Sequence, residues 1–351
     1  MNSEAELLDA LFLPLTSGAI AFPAARPALF LRARAGVPLH AWPRERFLCM
    51  QTFKPFADVL MRAGLSVEDK LVDEHRFPLV LVLPPRQREE ARALLARALR
   101  HAEKGAAVIA CQSNNEGARS GAADLERIAG TVQSLSKHKC RVVWASVDDA
   151  NIDAALMQEW AELDTPRPIL DGQLVSRPGL FAWDRVDPAS QLLASLLPDT
   201  LAGRVADLGA GYGYLSTELL RRCPQVTALD LYEAEQRALE PARINLERAA
   251  REHARQVALD FLWHDVTTGL PRRYDAVVSN PPFHQGRADQ PELGQAFIVA
   301  AAKALEKDGV LWLVANRHLP YEAILNAHFS AMRIVDVREG FKVIEARNPR
   351  Q

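Results

Sequence analysis

The segment Val205-Ala206-Asp207-Leu208-Gly209-Ala210-Gly211-Tyr212-Gly213 decides the fold of this chain. It reads as an apolar strand running into a glycine turn, with a helix opening at Tyr214. Glycines at alternate positions let the backbone bend sharply and admit a ligand where a Cβ would clash. A dinucleotide fingerprint of the G-x-G-x-x-G kind would need glycine at position 214, where Tyr214 stands. Asp207, just ahead of the turn, suits a ligand carrying a cationic amino group better than a pyrophosphate. Standing alone, the pattern also fits a plain strand-to-helix turn.

Outward from this turn, strands alternate with helices. Strand Arg204–Leu208 is followed by a helix from Tyr214, strand Val226–Leu229, a helix from Ala234, strand Ala258–Leu262, strand Ala276–Val278, a helix from Leu293 and strand Gly309–Val314. The tail, Met332 to Glu345, reads as two strands joined at Glu339-Gly340. Such alternation predicts an α/β fold with a doubly wound sheet. Upstream, Leu79–Leu83 and Ala106–Ala110 look like buried strands around a helix Arg88–His101, and Cys140–Val147 like one more. Pro166, Pro168 and Gly172 break the pattern between, so the expected domains are 1–165 and 166–351. The two halves share a faint repeat. Phe77 to Pro84-Pro85, an Ala/Leu helix and Lys104-Gly105 parallel Tyr274 to Pro281-Pro282, an Ala-rich helix and Lys307-Asp308-Gly309. Two copies of one fold, the first stripped of its site residues, would produce this; so would chance likeness between two α/β domains.

Three further signals follow the glycine turn in order. Asp230 ends the next apolar strand, and in open α/β sheets ligands bind beyond the carboxyl ends of strands. A carboxylate there can accept from both ribose hydroxyls of a nucleoside, with Glu233 as the nearby competitor. Asp265 follows the strand ending in Trp263-His264 and can accept from an adenine 6-amino group, with Val266 against the ring. The deciding signal is Ser279-Asn280-Pro281-Pro282-Phe283. An exocyclic amine conjugated to a base is a poor nucleophile, because its lone pair is delocalised into the ring. The Asn280 side-chain carbonyl and the Pro281 backbone carbonyl can accept from its two N–H bonds and turn the lone pair outward. The prolines stiffen the loop, which favours near-attack positioning, and Phe283 offers a face for a flipped-out base. His284, next in the loop, is not expected to be a general base.

Composition sets bounds on these readings. The chain has 351 residues, 48% hydrophobic and 25% charged, enough for two packed cores. No apolar run approaches a membrane span and the acidic start lacks a signal-peptide n-region, so a cytoplasmic protein is expected. Cys49, Cys111, Cys140 and Cys223 show no metal-ligand spacing, so they are expected as reduced thiols without structural zinc. Net charge is -2, which argues mildly against a nucleic-acid partner, since phosphate neutralisation usually brings a cationic excess. Local patches would have to serve, and Lys137-His138-Lys139 with Arg141 is a better candidate than the arginines of 86–100, which share a helix with Glu89 and Glu90. Arg272-Arg273, ahead of the strand into Asn280, is expected at the opposite edge of the sheet from the site.

Taken together, these residues resemble the class I methyltransferases that use S-adenosylmethionine (SAM), and more narrowly the RsmC-type ribosomal RNA guanine-N2 methyltransferases. The resemblance extends to Pro178-Gly179-Leu180-Phe181, Asp187-Pro188-Ala189-Ser190-Gln191-Leu192-Leu193, Val314-Ala315-Asn316 with Leu319-Pro320-Tyr321, and more faintly Asn114-Asn115-Glu116-Gly117-Ala118-Arg119-Ser120. It implies two tandem Rossmann-like methyltransferase domains, the first degenerate and guiding RNA, the second catalytic. It implies a monomer that transfers methyl from SAM to guanine N2 in small-subunit rRNA. On this resemblance Asn280, Pro281 and Phe283 are catalytic. Asp207, Gly209, Gly211, Gly213, Asp230, Asp265, Phe181 and Ser190 bind the cofactor, and no metal is involved. Ala189 stands where relatives usually have glycine. The sister family acting on large-subunit rRNA shares the C-terminal motifs. Protein-glutamine and DNA-adenine N-methyltransferases use a similar Asn-Pro-Pro-aromatic loop, and a non-catalytic RNA-binding module is the remaining alternative.

Overall fold

The computed structural model describes residues 4–350 apart from Asp149, Phe283, Gly286, Arg287 and Gln290, with only the backbone described at 284–285 and 288–289. The chain forms two compact units, Met1–Thr165 and Pro166–Gln351.

The first unit holds strands β1 (Ala28–Leu31), β2 (Phe47–Met50), β3 (Ser66–Glu68), β4 (Phe77–Val82), β5 (Ala102–Ser113), β6 (Gln133–Lys137) and β7 (Cys140–Ser146). The second opens with a hairpin, β8 (Arg167–Ile169) and β9 (Leu174–Ser176). It continues with β10 (Ala202–Leu208), β11 (Gln225–Glu233), β12 (Ala258–Trp263), β13 (Tyr274–Ser279), the short pair β14 (His284–Gln285) and β15 (Ala288–Asp289), β16 (Leu305–Asn316), β17 (Phe329–Arg338) and β18 (Phe341–Pro349). The sheets run β3-β2-β1-β4-β5-β7-β6 and β12-β11-β10-β13-β16-β18-β17. These are the same permutation, parallel except at the last two pairings, where β7 and β18 run against the rest, and both halves are therefore one fold.

The register makes the likeness residue-specific. Leu31 pairs with Val82 as Leu208 pairs with Ser279, one residue short of Leu83-Pro84-Pro85 and Asn280-Pro281-Pro282 respectively. Leu31 also pairs with Met50 as Leu208 pairs with Tyr232. Phe30 thus stands where Asp207 does, Arg32 where Gly209 does, Leu83 where Asn280 does, and Gln51 where Glu233 does. Gln51 even keeps the geometry of its counterpart: its Oε1 accepts from Phe53 N two residues on, as Glu233 Oε1 accepts from Glu235 N. The first unit has kept the frame and lost both the acid and the amide.

Each sheet is covered on both faces, as parallel strands require. In the second unit one apolar layer joins Leu193, Val205, Leu219, Leu229, Leu246 and Val278. The other joins Leu208, Val277, Phe297, Ile298 and Leu313. The expected helix from Ala234 starts later, at Leu239, after a short 3-10 turn Gln236–Ala238 that Glu235 caps. The arginines of helix Arg88–His101 are not merely solvated: Arg88 and Arg92 converge on the buried Asp124, and Arg97 reaches Asp164. All four cysteines are buried thiols, in no disulfide among the described residues.

Candidate active site

In the second sheet, β10 lies between β11 and β13. Chain order reverses there, so a crevice opens between the carboxyl ends of β10 and β13. The glycine turn and Asn280 line this crevice from its two sides. Ser279 Oγ donates to the Leu208 carbonyl at 2.8 Å and pins the strand ends together. A Cβ on Gly209 would come within 3.9 Å of the Asn280 carbonyl oxygen and 3.8 Å of Pro282.

The turn's glycines serve two purposes. Gly213 (φ 85°) opens helix Tyr214–Arg222, and a Cβ there would meet Leu246 at 2.7 Å, so it allows close packing of helix Leu239–Glu252. Gly211 (φ 55°) has nothing within 4 Å of a Cβ, so its missing side chain leaves open space beside the crevice. Ahead of the turn, Asp207 is fully buried. Its Oδ2 accepts from Ser216 Oγ at 2.7 Å, while its Oδ1 is buried with no hydrogen-bond partner among the described residues. Burial outweighs the Ser216 hydrogen bond, and nearby Glu233 adds to it, raising the carboxyl from 3.8 to about 7. A buried acceptor left open is expensive, and a cationic amino group is the partner that would relieve it.

Asp230 is where the structure departs from the expectation. It sits inside β11, 1% exposed, opposite Ala206. Arg204 reaches its Oδ1 at 2.9 Å, Arg272 its Oδ2 at 2.8 Å, and Tyr274 Oη donates to Oδ2 at 2.8 Å. Arg204 lies near the amino-terminal end of β10 and Arg272 just ahead of β13, so this carboxylate is spent on a structural ion cluster away from the crevice. β11 runs on to Glu233, and that residue stands at the carboxyl end beside the turn. Its Oε2 accepts from Gly211 N at 2.7 Å and its Oε1 from Glu235 N at 2.8 Å. Burial holds its pKa above the usual range against these backbone donors.

Asp265 lies one strand further out, just past β12. Its Oδ1 caps the short turn Val266–Thr268 through Thr267 N and Oγ1, and Val266 is buried beside it. Phe181 is 69% exposed, but its neighbour Leu180 packs with Tyr212 of the turn, and Tyr212 Oη donates to the Arg185 carbonyl at 2.8 Å. The 178–185 segment therefore folds against the turn and leaves the Phe181 ring outward. Pro281 is buried in the loop; Phe283 lies outside the described residues.

Asn280 is held by a segment that sequence order hides. Its Nδ2 donates to Asp187 Oδ2 and to Ser190 Oγ, both at 2.8 Å, and its Oδ1 is buried without a partner among the described residues. Ser190 thus meets the amide of Asn280. Asp187 opens the Asp187–Leu193 segment of the family resemblance, and its separation of 93 residues from Asn280 gives no local signal of this contact.

A seven-stranded sheet of this order, with an open glycine turn, a buried acid with one open oxygen and an oriented amide at its switch point, defines a Rossmann-like methyltransferase. The methyltransferase small domain family matches residues 171–345. The ribosomal RNA small subunit methyltransferase C of Serratia proteamaculans is 30% identical over 283 residues, 81% of this chain and 78% of that protein. Its Psychromonas ingrahamii namesake is 28% identical over 312 residues, 87% of each chain. The T. thermophilus 16S rRNA N2 G1207 methyltransferase (RsmC), solved in complex with AdoMet and guanosine, aligns with 99% of this chain and 93% of its own at 26% identity and a TM-score of 0.77. The chain belongs to the ribosomal RNA small subunit methyltransferase C family.

Proposed function

We propose that this protein transfers the methyl group of SAM to the exocyclic N2 of a guanine in small-subunit ribosomal RNA, through residues at the β10–β13 crevice. The observation that carries the proposal is the buried, unpartnered Oδ1 of Asn280. It is an acceptor held facing the position where an amine must donate. Similarity to the small-subunit relatives, and to a structure solved with AdoMet and guanosine, supports this substrate over large-subunit RNA, DNA or protein.

The residues present fit SAM. Asp207 Oδ1 would take the cationic amino group, the open side of Gly211 admits the ligand backbone, Glu233 replaces Asp230 as acceptor for the ribose hydroxyls, and Asp265 with Val266 meets the adenine. Phe181 and Ser190 border the site, the latter through Asn280. When bound, SAM supplies a methyl group activated by its sulfonium. The chain's contribution is orientation. Asn280 Oδ1 and the Pro281 carbonyl accept the two N–H bonds of guanine N2 and rotate its lone pair out of conjugation, toward the methyl. Phe283 gives the base a stacking face. The 1–165 unit lacks the acid and the amide, and it guides RNA instead, with exposed Lys137 and Lys139 at the β6–β7 turn as phosphate contacts. The protein works as a cytoplasmic monomer; no described helix is long and apolar enough to cross a membrane.

The test is methyl transfer from labelled SAM to separated small and large ribosomal subunits lacking their native guanine methylations. Label in the small subunit alone is expected. Label confined to the large subunit, or absent from both, contradicts the substrate assignment.

A further inference from the structure

We infer that Asp187 sets which end of the Asn280 amide faces the reacting amine, and so makes the crevice selective for a hydrogen-bond donor. The inference deepens the proposed function and rests on Asn280 as the acceptor of that reaction.

A side-chain amide is nearly symmetric in shape. A half-turn about its last torsion exchanges a double donor for an acceptor at almost no steric cost. An unconstrained asparagine would therefore offer either face to a base, and half the encounters would put an N–H against an N–H. An ionised carboxylate only accepts. With Asp187 Oδ2 at 2.8 Å, only Nδ2 can face it, since the reverse would set two oxygen acceptors against each other in a part-buried place. Ser190 Oγ, also at 2.8 Å, accepts from Nδ2 as well and occupies its other hydrogen. Both donors are used up, and Oδ1 is left without a partner on the side that remains.

Asp187 has a second, structural task. It is the N-cap of helix Pro188–Leu196, where the same Oδ2 accepts from Ser190 N at 2.9 Å. The cap alone would explain an aspartate here, but it would equally accept asparagine, which caps as well. The lock would not. An asparagine at 187 can present either an oxygen or an NH₂ group, so it no longer dictates the orientation of Asn280. The first unit is consistent with the pairing, since it carries Leu83 where Asn280 stands, with no amide to orient.

The experiment is a double-mutant cycle with Asp187→Asn and Asn280→Ala in the full chain. Asp187→Asn should lower kcat by about 10- to 100-fold, the range of a hydrogen bond to a charged group. The KM for SAM should stay within about twofold. In the Asn280→Ala background the same change should cost no more than about twofold, because no amide remains to be oriented. An unchanged kcat, or the same loss in both backgrounds, overturns the lock. Thermal unfolding of the four proteins reads the coupling without substrate. The lock predicts that the Tm loss of the double variant is smaller than the two single losses combined, and strictly additive losses overturn it. A wild-type protein inactive on guanine but non-additive in Tm would overturn the acceptor assignment and leave the lock standing.

Discussion

Asp207→Asn should make the cofactor-free protein more stable and a worse enzyme. Asp207 is fully buried, with one oxygen satisfied by Ser216 and the other open. Its carboxyl is raised from 3.8 to about 7, chiefly by burial. Below pH 3.8 the group is neutral in both the folded and unfolded chain. Between there and pH 7 the folded chain holds a proton that the unfolded chain has released, so stability falls as pH rises, by about 1.4 kcal/mol per unit. Above pH 7 the full cost is in place, on the order of 4 kcal/mol. Asparagine keeps the shape and never ionises. Relative to wild type it should therefore gain about 3 kcal/mol more at pH 8 than at pH 5, or roughly 6–12 °C in the unfolding transition of a domain this size. The price is ligand affinity: without a charge for the amino group, calorimetry at pH 8 should show SAM binding at least about tenfold weaker. Wild-type affinity should itself weaken as pH falls below about 7. A variant no more stabilised at pH 8 than at pH 5, or one that binds SAM as wild type does, would refute the role given to this carboxylate.

Other substitutions separate the site from its scaffold. Asn280→Ala should lower kcat by about 10²- to 10³-fold with the calorimetric affinity for SAM nearly intact. Asp230→Asn, which leaves Arg204 and Arg272 facing a neutral group, should cost about 3–5 kcal/mol in denaturant unfolding. Residual folded protein should bind SAM normally, whereas Glu233→Gln should weaken SAM binding with little loss of stability. Gly211→Ala meets no atom of the described residues within 4 Å, so its unfolding cost should be only the roughly 1–2 kcal/mol of the left-handed backbone, while equilibrium binding should show a SAM affinity well below that of wild type.

Much of this site was legible in the sequence because its key residues fall at strand ends. Apolar runs terminate at Asp207, Asp265 and Asn280, and strand alternation puts those termini on one edge of a sheet. The misassignment at Asp230 has a physical cause. An acid interrupting an apolar run looks like the end of a strand, but here it is compensated inside the sheet by Arg204 and Arg272, 26 and 42 residues away. Nothing local reveals that pairing, so Glu233, at the strand's true end, stands in the sequence only as the competitor of Asp230. The Asp187–Asn280 contact was hidden for the same reason. Duplication showed in the repeated Pro-Pro turns but could not be settled at β1, whose end has arginine where the second unit has glycine. Only the register, Leu31 to Val82 and Leu208 to Ser279, aligns the two.

The central claim is that the Asn280 amide directs methyl transfer to guanine N2 in small-subunit rRNA. The most direct test is mass spectrometry of small-subunit rRNA nucleosides from cells lacking the gene, complemented with wild type or with Asn280→Ala. One N2-methylguanosine should be missing without the gene and restored by wild type alone. An unchanged N2-methylguanosine content in the deletion, or full restoration by Asn280→Ala, would contradict it.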